Sequence, residues 1–279
     1  MKRVFYLYSV NNLIVRTLSG IVFVAIIIGS IILGASYLYT CMALFSLLAL
    51  FEYTQLIKNI KVAILPFLVI GIALFILLLP NNTISLPLKF LLLILTLIVT
   101  WSIEIWRKQE NPFLGVVYST FGLLYCVLPF VAMTWIESIR GDVYGSYYIL
   151  IYFFLIVWSN DSFAYLTGRF FGKTKLFERI SPKKTWEGTI GGLLFSALTG
   201  FLIAYFAELD ILFWMIASQV IAIGSIIGDL FESLIKRSLN VKDSGNIIPG
   251  HGGILDRFDA AMFAAPLFLI WFYIYHLIL

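Results

Sequence analysis

Apolar runs of about 20 residues follow one another along almost the whole chain, and that repetition leaves few folds open. A helix rising about 1.5 Å per residue crosses a hydrocarbon core of about 30 Å in such a run. Lipid offers the backbone no hydrogen-bond partner, so each run must satisfy its own amides as a helix. With 61% hydrophobic and 12% charged residues in 279, the chain has too few polar groups to coat a water-soluble surface. The expected fold is all-α, a polytopic membrane protein.

Nine transmembrane helices are expected, at Thr17–Gly34, Ala35–Ile57, Val62–Leu79, Ile84–Ile105, Pro112–Ile136, Gly145–Gly168, Gly188–Ala207, Leu209–Leu230 and Asp259–Leu279. The first two form a nearly continuous apolar run broken only by Gly34 and Ser36, so their separation rests on little turn signal. The basic residues give an independent test, because cytoplasmic loops collect Lys and Arg. Under nine spans, all 19 Lys and Arg except Lys89 and Arg140 fall on one side. That sorting predicts a cytoplasmic N-terminus and an outside C-terminus. The spans divide into residues 1–110, 111–188 with a basic cytoplasmic loop, and 189–279. The basic arm before Arg16 leads into a span too long for a cleaved signal and reads as interfacial or as part of the first helix. Cys41 and Cys126 lie within apolar segments, and no disulfide or zinc framework is indicated. Glu52 and Glu104, near span ends beside Lys58 and Arg107, read as interfacial charges in loose pairs.

Polar residues concentrate in two loops on the predicted cytoplasmic side. In the first, Asp161 lies inside an apolar helix, where an acid is costly unless it serves a site or an internal ion pair. Beyond it, Ser181-Pro182 reads as a helix cap with proline at the first position, aiming free amides at an anion beside Lys183 and Lys184. The second stretch, Gly228 to Ala260, places Ser225, Asp229, Glu232 or Ser233, and Lys236 on one face if the preceding helix continues through Leu239. Asp243-Ser-Gly and Pro249-Gly-His-Gly-Gly must then be loop, where glycine lets backbone approach a ligand closely. Asp256 and Asp259, three apart, can face the same way. Several carboxylates at this depth repel one another unless a cation sits among them, and hard oxygen donors favour magnesium. His251 reads either as a ligand or catalytic group, or as loop packing or a hydrogen bond to substrate. His276 reads as interfacial.

The run Ser233, Lys236-Arg237, Lys242-Asp243, Gly245, Pro249, His251-Gly252-Gly253, Asp256-Arg257 and Asp259 closely resembles the signature of phosphatidate cytidylyltransferases. The segments Asp161-Ser-Phe-Ala-Tyr and Ser181-Pro-Lys-Lys-Thr-Trp-Glu-Gly also resemble that family, although Ser162 stands where threonine is frequent. The first half resembles it only in hydropathy. The resemblance implies that CTP and phosphatidic acid are converted into CDP-diacylglycerol and pyrophosphate, with magnesium and room for a second cation. It places this at the cytoplasmic face of the bacterial inner membrane and implies a homodimer, with no nucleic-acid partner. It assigns catalysis to Asp229, Asp256 and Lys236, and the metal to Asp229 and Asp256 with Asp161 and Asp259. Substrate binding falls to Lys173, Ser181, Lys183, Lys184, Arg237, Lys242, Gly250, His251, Gly252, Gly253 and Arg257. The rival readings are a CTP-dependent lipid kinase, whose alcohol acceptor would require a general base, and an anion transporter, which would spread polar groups through both leaflets. CDP-alcohol phosphatidyltransferases are disfavoured because their Asp-Gly-x-x-Ala-Arg motif is absent.

Overall fold

The computed structural model describes residues 2–58, 85–108, 111–139, 148–250 and 252–278. Among these residues, eight helical stretches are long and apolar enough to cross a membrane, and the protein is an all-α polytopic membrane protein. The expected span at 62–79 lies outside the described residues, as does Arg140. Two compact units are formed: Met1–Thr134 with Asp243–Asp256, and Trp135–Lys242 with Arg257–Leu279.

In the first unit, α1 (Lys2–Leu33) and α2 (Ala35–Leu56) are separated by one residue, Gly34. Its φ of 111° is open to glycine and not to other residues, so the apolar run breaks here. Phe23 and Phe45, each eleven positions from Gly34, meet with ring centroids 5.7 Å apart. The chain therefore folds back at Gly34, as expected for two crossings. The basic arm is helical and belongs to α1. Helix α3 (Leu86–Trp106) follows, and then one expected span that is interrupted: α4 (Pro112–Cys126) and α5 (Leu128–Ser138) break at Val127. Pro129 explains the break, since its ring has no N–H and clashes with the carbonyl four residues back. The Phe130 amide, which would serve the Cys126 carbonyl in a continuous helix, bonds the Val127 carbonyl instead at 3.1 Å, and the Cys126 carbonyl accepts from Ser46 Oγ of α2 at 2.5 Å. A side-chain hydroxyl thus takes the place of a diverted amide, the arrangement that makes a helix break tolerable in lipid.

The second unit contains α6 (Ile149–Phe171), a hairpin of β1 (Lys175–Phe177) and β2 (Ser181–Thr185), then α7 (Trp186–Phe206), α8 (Ile211–Ser238) and α9 (Leu255–Ile278), the last starting in the first unit. Small residues at four-residue spacing let α7 approach two partners. A Cβ on Gly192 would sit 2.6 Å from Asn160 Oδ1 of α6, and one on Gly200 would sit 2.6 Å from the Trp214 carbonyl of α8. Phe153, Phe213, Trp214 and Phe268, all nearly inaccessible, fill the space between α6, α8 and α9.

Helix α8 ends as its sequence requires. Asn240 takes φ 55°, its N–H bonds the Arg237 carbonyl, and the Val241 N–H bonds Lys236 at 2.9 Å. This six-to-one closure uses the left-handed conformation that asparagine tolerates. At the other end Asp210 caps α8 by accepting from the Phe213 amide at 3.0 Å, and its second oxygen accepts from Tyr275 Oη. The Tyr275 hydroxyl first, and the Phe213 amide next, hold the Asp210 carboxyl below the usual aspartate range. A carboxyl depressed on folding stabilises above its unfolded pKa, and that contribution disappears as pH falls through the folded value. Asp210→Ala is expected to destabilise by about 1 kcal/mol at neutral pH, and the gap to wild type should narrow only below about pH 4. Thermal unfolding of both chains across pH 3 to 7 checks this; a constant gap would refute it.

Candidate active site

The acids predicted from the sequence are distributed over both units. In the second unit, Asp161 of α6, Asp229 and Glu232 of α8 and Asp259 of α9 lie within electrostatic reach of one another. Backbone contact brings α8 and α9 together here. A Cβ on Gly228 would overlap the Asp259 carbonyl oxygen and lie 3.3 Å from Ala260 Cα. Only glycine allows that approach, and it sets Asp229 beside Asp259.

Helix α8 continues to Ser238 and Leu239 caps it, so the predicted polar face is formed. Ser233 Oγ donates to Asp229 Oδ1 at 3.4 Å, and Lys236 Nζ meets the buried Glu232 at 2.5 Å. Lys184 Nζ reaches Asp229 Oδ2 at 2.6 Å, with the lysine and aspartate side chains 26% and 35% exposed. Lys184 and Arg257 also lie within electrostatic reach of Asp161. Asp161 thus has basic neighbours, and Asn160 Nδ2 donates to it at 3.3 Å.

The cap expected at Ser181-Pro182 is not present. Ser181–Thr185 is a strand pairing antiparallel with Lys175–Phe177, with Lys175 opposite Thr185 and Phe177 opposite Ser181. Proline pushes the residue before it into extended conformation, and the ladder continues in the bond from the Trp186 amide to the Thr174 carbonyl at 3.0 Å. The helix cap is Thr185, whose hydroxyl accepts from the Gly188 amide at 3.2 Å. The amides of Lys173 and Thr174 point at the Glu187 carboxylate, at 3.1 Å each, rather than at an external anion. Side chains alternate along a strand, so Lys184 turns toward Asp229 while Lys183 stays exposed. Lys173, Arg237, Lys242 and Arg257 are exposed, and an Arg237 guanidinium N–H donates to the Val241 carbonyl at 3.4 Å.

Asp256 belongs to the first unit and organises the signature loop. Its Oδ2 accepts from the Ser244 amide at 3.0 Å, the Ser244 hydroxyl at 2.9 Å and the Gly253 amide at 2.9 Å. Gly250 and Gly252 take φ of 75° and 83°, as the loop reading expected of glycine. His251 lies outside the described residues. Helix α9 starts at Leu255, four residues ahead of expectation, so Asp256 and Asp259 share one helix.

Glu52 overturns its sequence reading. It is 2% exposed and forms no surface pair with Lys58. Its Oε1 accepts from the Ile254 amide at 2.9 Å and its Oε2 from the Leu255 amide at 2.9 Å, with Ser244 Oγ at 3.4 Å. Glu104 pairs with Arg107 at 2.7 Å as expected, although it too is buried rather than exposed at an interface.

The carboxylates of the second unit are the hard oxygen donors that magnesium takes. Among the described residues, however, no three His, Cys, Asp or Glu side chains close into a metal-binding group. The ammonium of Lys184 supplies positive charge at Asp229. Acids flanked by Lys and Arg side chains suit ligands that arrive as polyanions with their own cations.

Comparisons with known proteins agree with this chemistry. The sequence profile of the Cytidylyltransferase family matches residues 14–275. The chain is 35% identical over 259 residues to the phosphatidate cytidylyltransferase of Staphylococcus haemolyticus (strain JCSC1435), covering 91% of this chain and 96% of that protein. The same identity and coverage hold for the phosphatidate cytidylyltransferase of Staphylococcus aureus (strain COL). The Haemophilus influenzae enzyme of the same name is 38% identical over 192 residues, 65% of each chain. With a profile that runs through both units and relatives aligned nearly end to end, the chain belongs to the Cytidylyltransferase family.

Proposed function

We propose that the chain transfers the cytidylyl group of CTP to phosphatidic acid, giving CDP-diacylglycerol and pyrophosphate. In this reaction a phosphate oxygen of phosphatidic acid attacks the α-phosphorus of CTP. The bond from that phosphorus to the bridging oxygen breaks, and its electron pair leaves on pyrophosphate. The nucleophile is already an anion, so no general base is needed; the barrier is bringing two polyanions together and absorbing charge on the leaving group.

The observation that carries this reading is the grouping of Asp161, Asp229 and Asp259 with Lys184 beside Asp229, in a chain whose relatives are named for this reaction. Lys184, Lys236 and Arg257 bear the positive charge nearest those acids and are assigned to the phosphates. Lys173, Lys183, Arg237 and Lys242 form the outer basic set that draws nucleotide in. Gly250, Gly252 and Gly253 let backbone amides approach it. Asp229, Asp161 and Asp259 supply carboxylate oxygens for magnesium, Asp256 is the further acid that the signature assigns to it, and the ion's chemistry there is neutralising phosphate charge. The sorting of basic residues supports a cytoplasmic site in a bacterial inner membrane.

Membranes holding the chain, given CTP labelled in its cytidine or in its γ-phosphate together with phosphatidic acid, should yield cytidine label in the lipid fraction. Lipid-borne γ-phosphate would indicate a kinase, and no labelled lipid would refute both.

A further inference from the structure

Helix α2 carries an acid, Glu52, four residues before its last residue, Leu56. Glu52 is buried there and its partners lie some 200 residues later in sequence. Its two oxygens divide the first amides of α9, Ile254 and Leu255, between them at 2.9 Å each. Those amides have no acceptor within their own helix and carry its positive end. Neighbouring backbone is shaped around the carboxylate. A Cβ on Gly245 would meet Glu52 Oε1 at 2.7 Å, and one on Gly253 would overlap Glu52 Oε2. Helix α1 adds a second hold, since Ser19 Oγ donates to the Pro249 carbonyl at 3.0 Å and a Cβ on Gly250 would lie 2.9 Å from Arg16 Cγ.

We infer that Glu52 is a positioning residue for the reaction: its carboxylate clamps the Ser244–Leu255 loop so that the backbone of Gly253 and the carboxylate of Asp256 are presented in one fixed arrangement. The clamp acts through Ser244, whose hydroxyl contacts Asp256 at 2.9 Å and Glu52 at 3.4 Å. Its catalytic role rests on the cytidylyl-transfer reading; the clamp itself does not. Glutamine has the right shape and the wrong chemistry, because its NH2 would face an amide donor whichever way it turns.

The test uses the full-length chain in detergent, comparing wild type, Glu52→Gln and Ser46→Ala. The last loses a buried bond of the same helix away from the loop. Hydrogen–deuterium exchange is followed on peptides covering 244–258, and turnover is measured with CTP, phosphatidic acid and magnesium. Glu52→Gln should exchange the Ile254 and Leu255 amides at least tenfold faster and lose at least tenfold in kcat per folded molecule. Ser46→Ala should lower Tm while leaving both quantities unchanged. If Glu52→Gln does not fold, Ser244→Ala should show smaller changes in the same direction. Wild-type exchange at 254–255 in whichever of these two variants folds, or faster exchange with wild-type kcat, overturns the proposal. A wild-type chain that turns over no CTP refutes the assigned reaction, and exchange then decides the clamp alone.

Discussion

Asp229→Asn is expected to lower the rate of CDP-diacylglycerol formation by at least about 100-fold, the loss typical of removing one charged group from a preorganised site. Its thermal stability should stay near wild type. The Asp229 and Lys184 side chains are 35% and 26% exposed, so their ion pair is partly solvated and contributes little to folding. Losing one acid from a group that includes Asp161 and Asp259 also relieves like-charge repulsion. Lys184→Met should cost less, because Lys236 and Arg257 stand near the same acids. Initial rates and Tm on the same purified samples make the comparison. Wild-type turnover in Asp229→Asn would remove Asp229 from the site, and a collapse of Tm would make its role structural.

Gly228→Val should have the largest effect on the fold. The atoms that its side chain would strike are the Asp259 carbonyl and Ala260 Cα, and neither can rotate away as a flexible side chain does. One turn earlier, a Cβ on Gly224 would lie 2.7 Å from Ala264 Cα. The two glycines make one seam between α8 and α9, and valine must push the helices apart along it. Overpacking of this kind costs about 1–3 kcal/mol where neighbours yield, and here backbone would have to move. A loss of at least about 3 kcal/mol is expected, together with activity, since Asp229 and Asp259 separate. Ile227→Val, next in sequence but at a side chain that is 44% exposed, should change Tm little. Size-exclusion profiles and thermal unfolding of the two variants decide the matter, and a folded Gly228→Val with native Tm would break the argument.

Local physics explains which parts were readable. The spans were legible because hydrocarbon thickness fixes their length, whereas the turn at Gly34 was only faintly marked, by Gly34 and Ser36 in a nearly continuous apolar run. The reach of α8 past the last apolar residue followed from three- and four-residue spacing of polar groups up to Lys236. Ser181-Pro182 misled because extended backbone serves both a helix cap and a strand, and pairing with Lys175–Phe177 decides between them. Glu52 was misread for a different reason. Its nearest following base, Lys58, is six residues on and not a helical neighbour, whereas Arg107 is three from Glu104 and does pair. The unmatched spacing was a usable sign; the identity of the distant amides was not. The seam at Gly224 and Gly228 went unread, although two glycines four apart were a usable signal for it.

The bonds from Ile254 and Leu255 to Glu52 bear on how the protein is made. Synthesis runs from the amino end, so α2 enters the bilayer long before the residues that will neutralise its acid leave the ribosome. Throughout that interval a carboxylate waits near the end of a span for donors not yet translated. A nascent chain halted after α8 would leave that acid without the two amides that hold it.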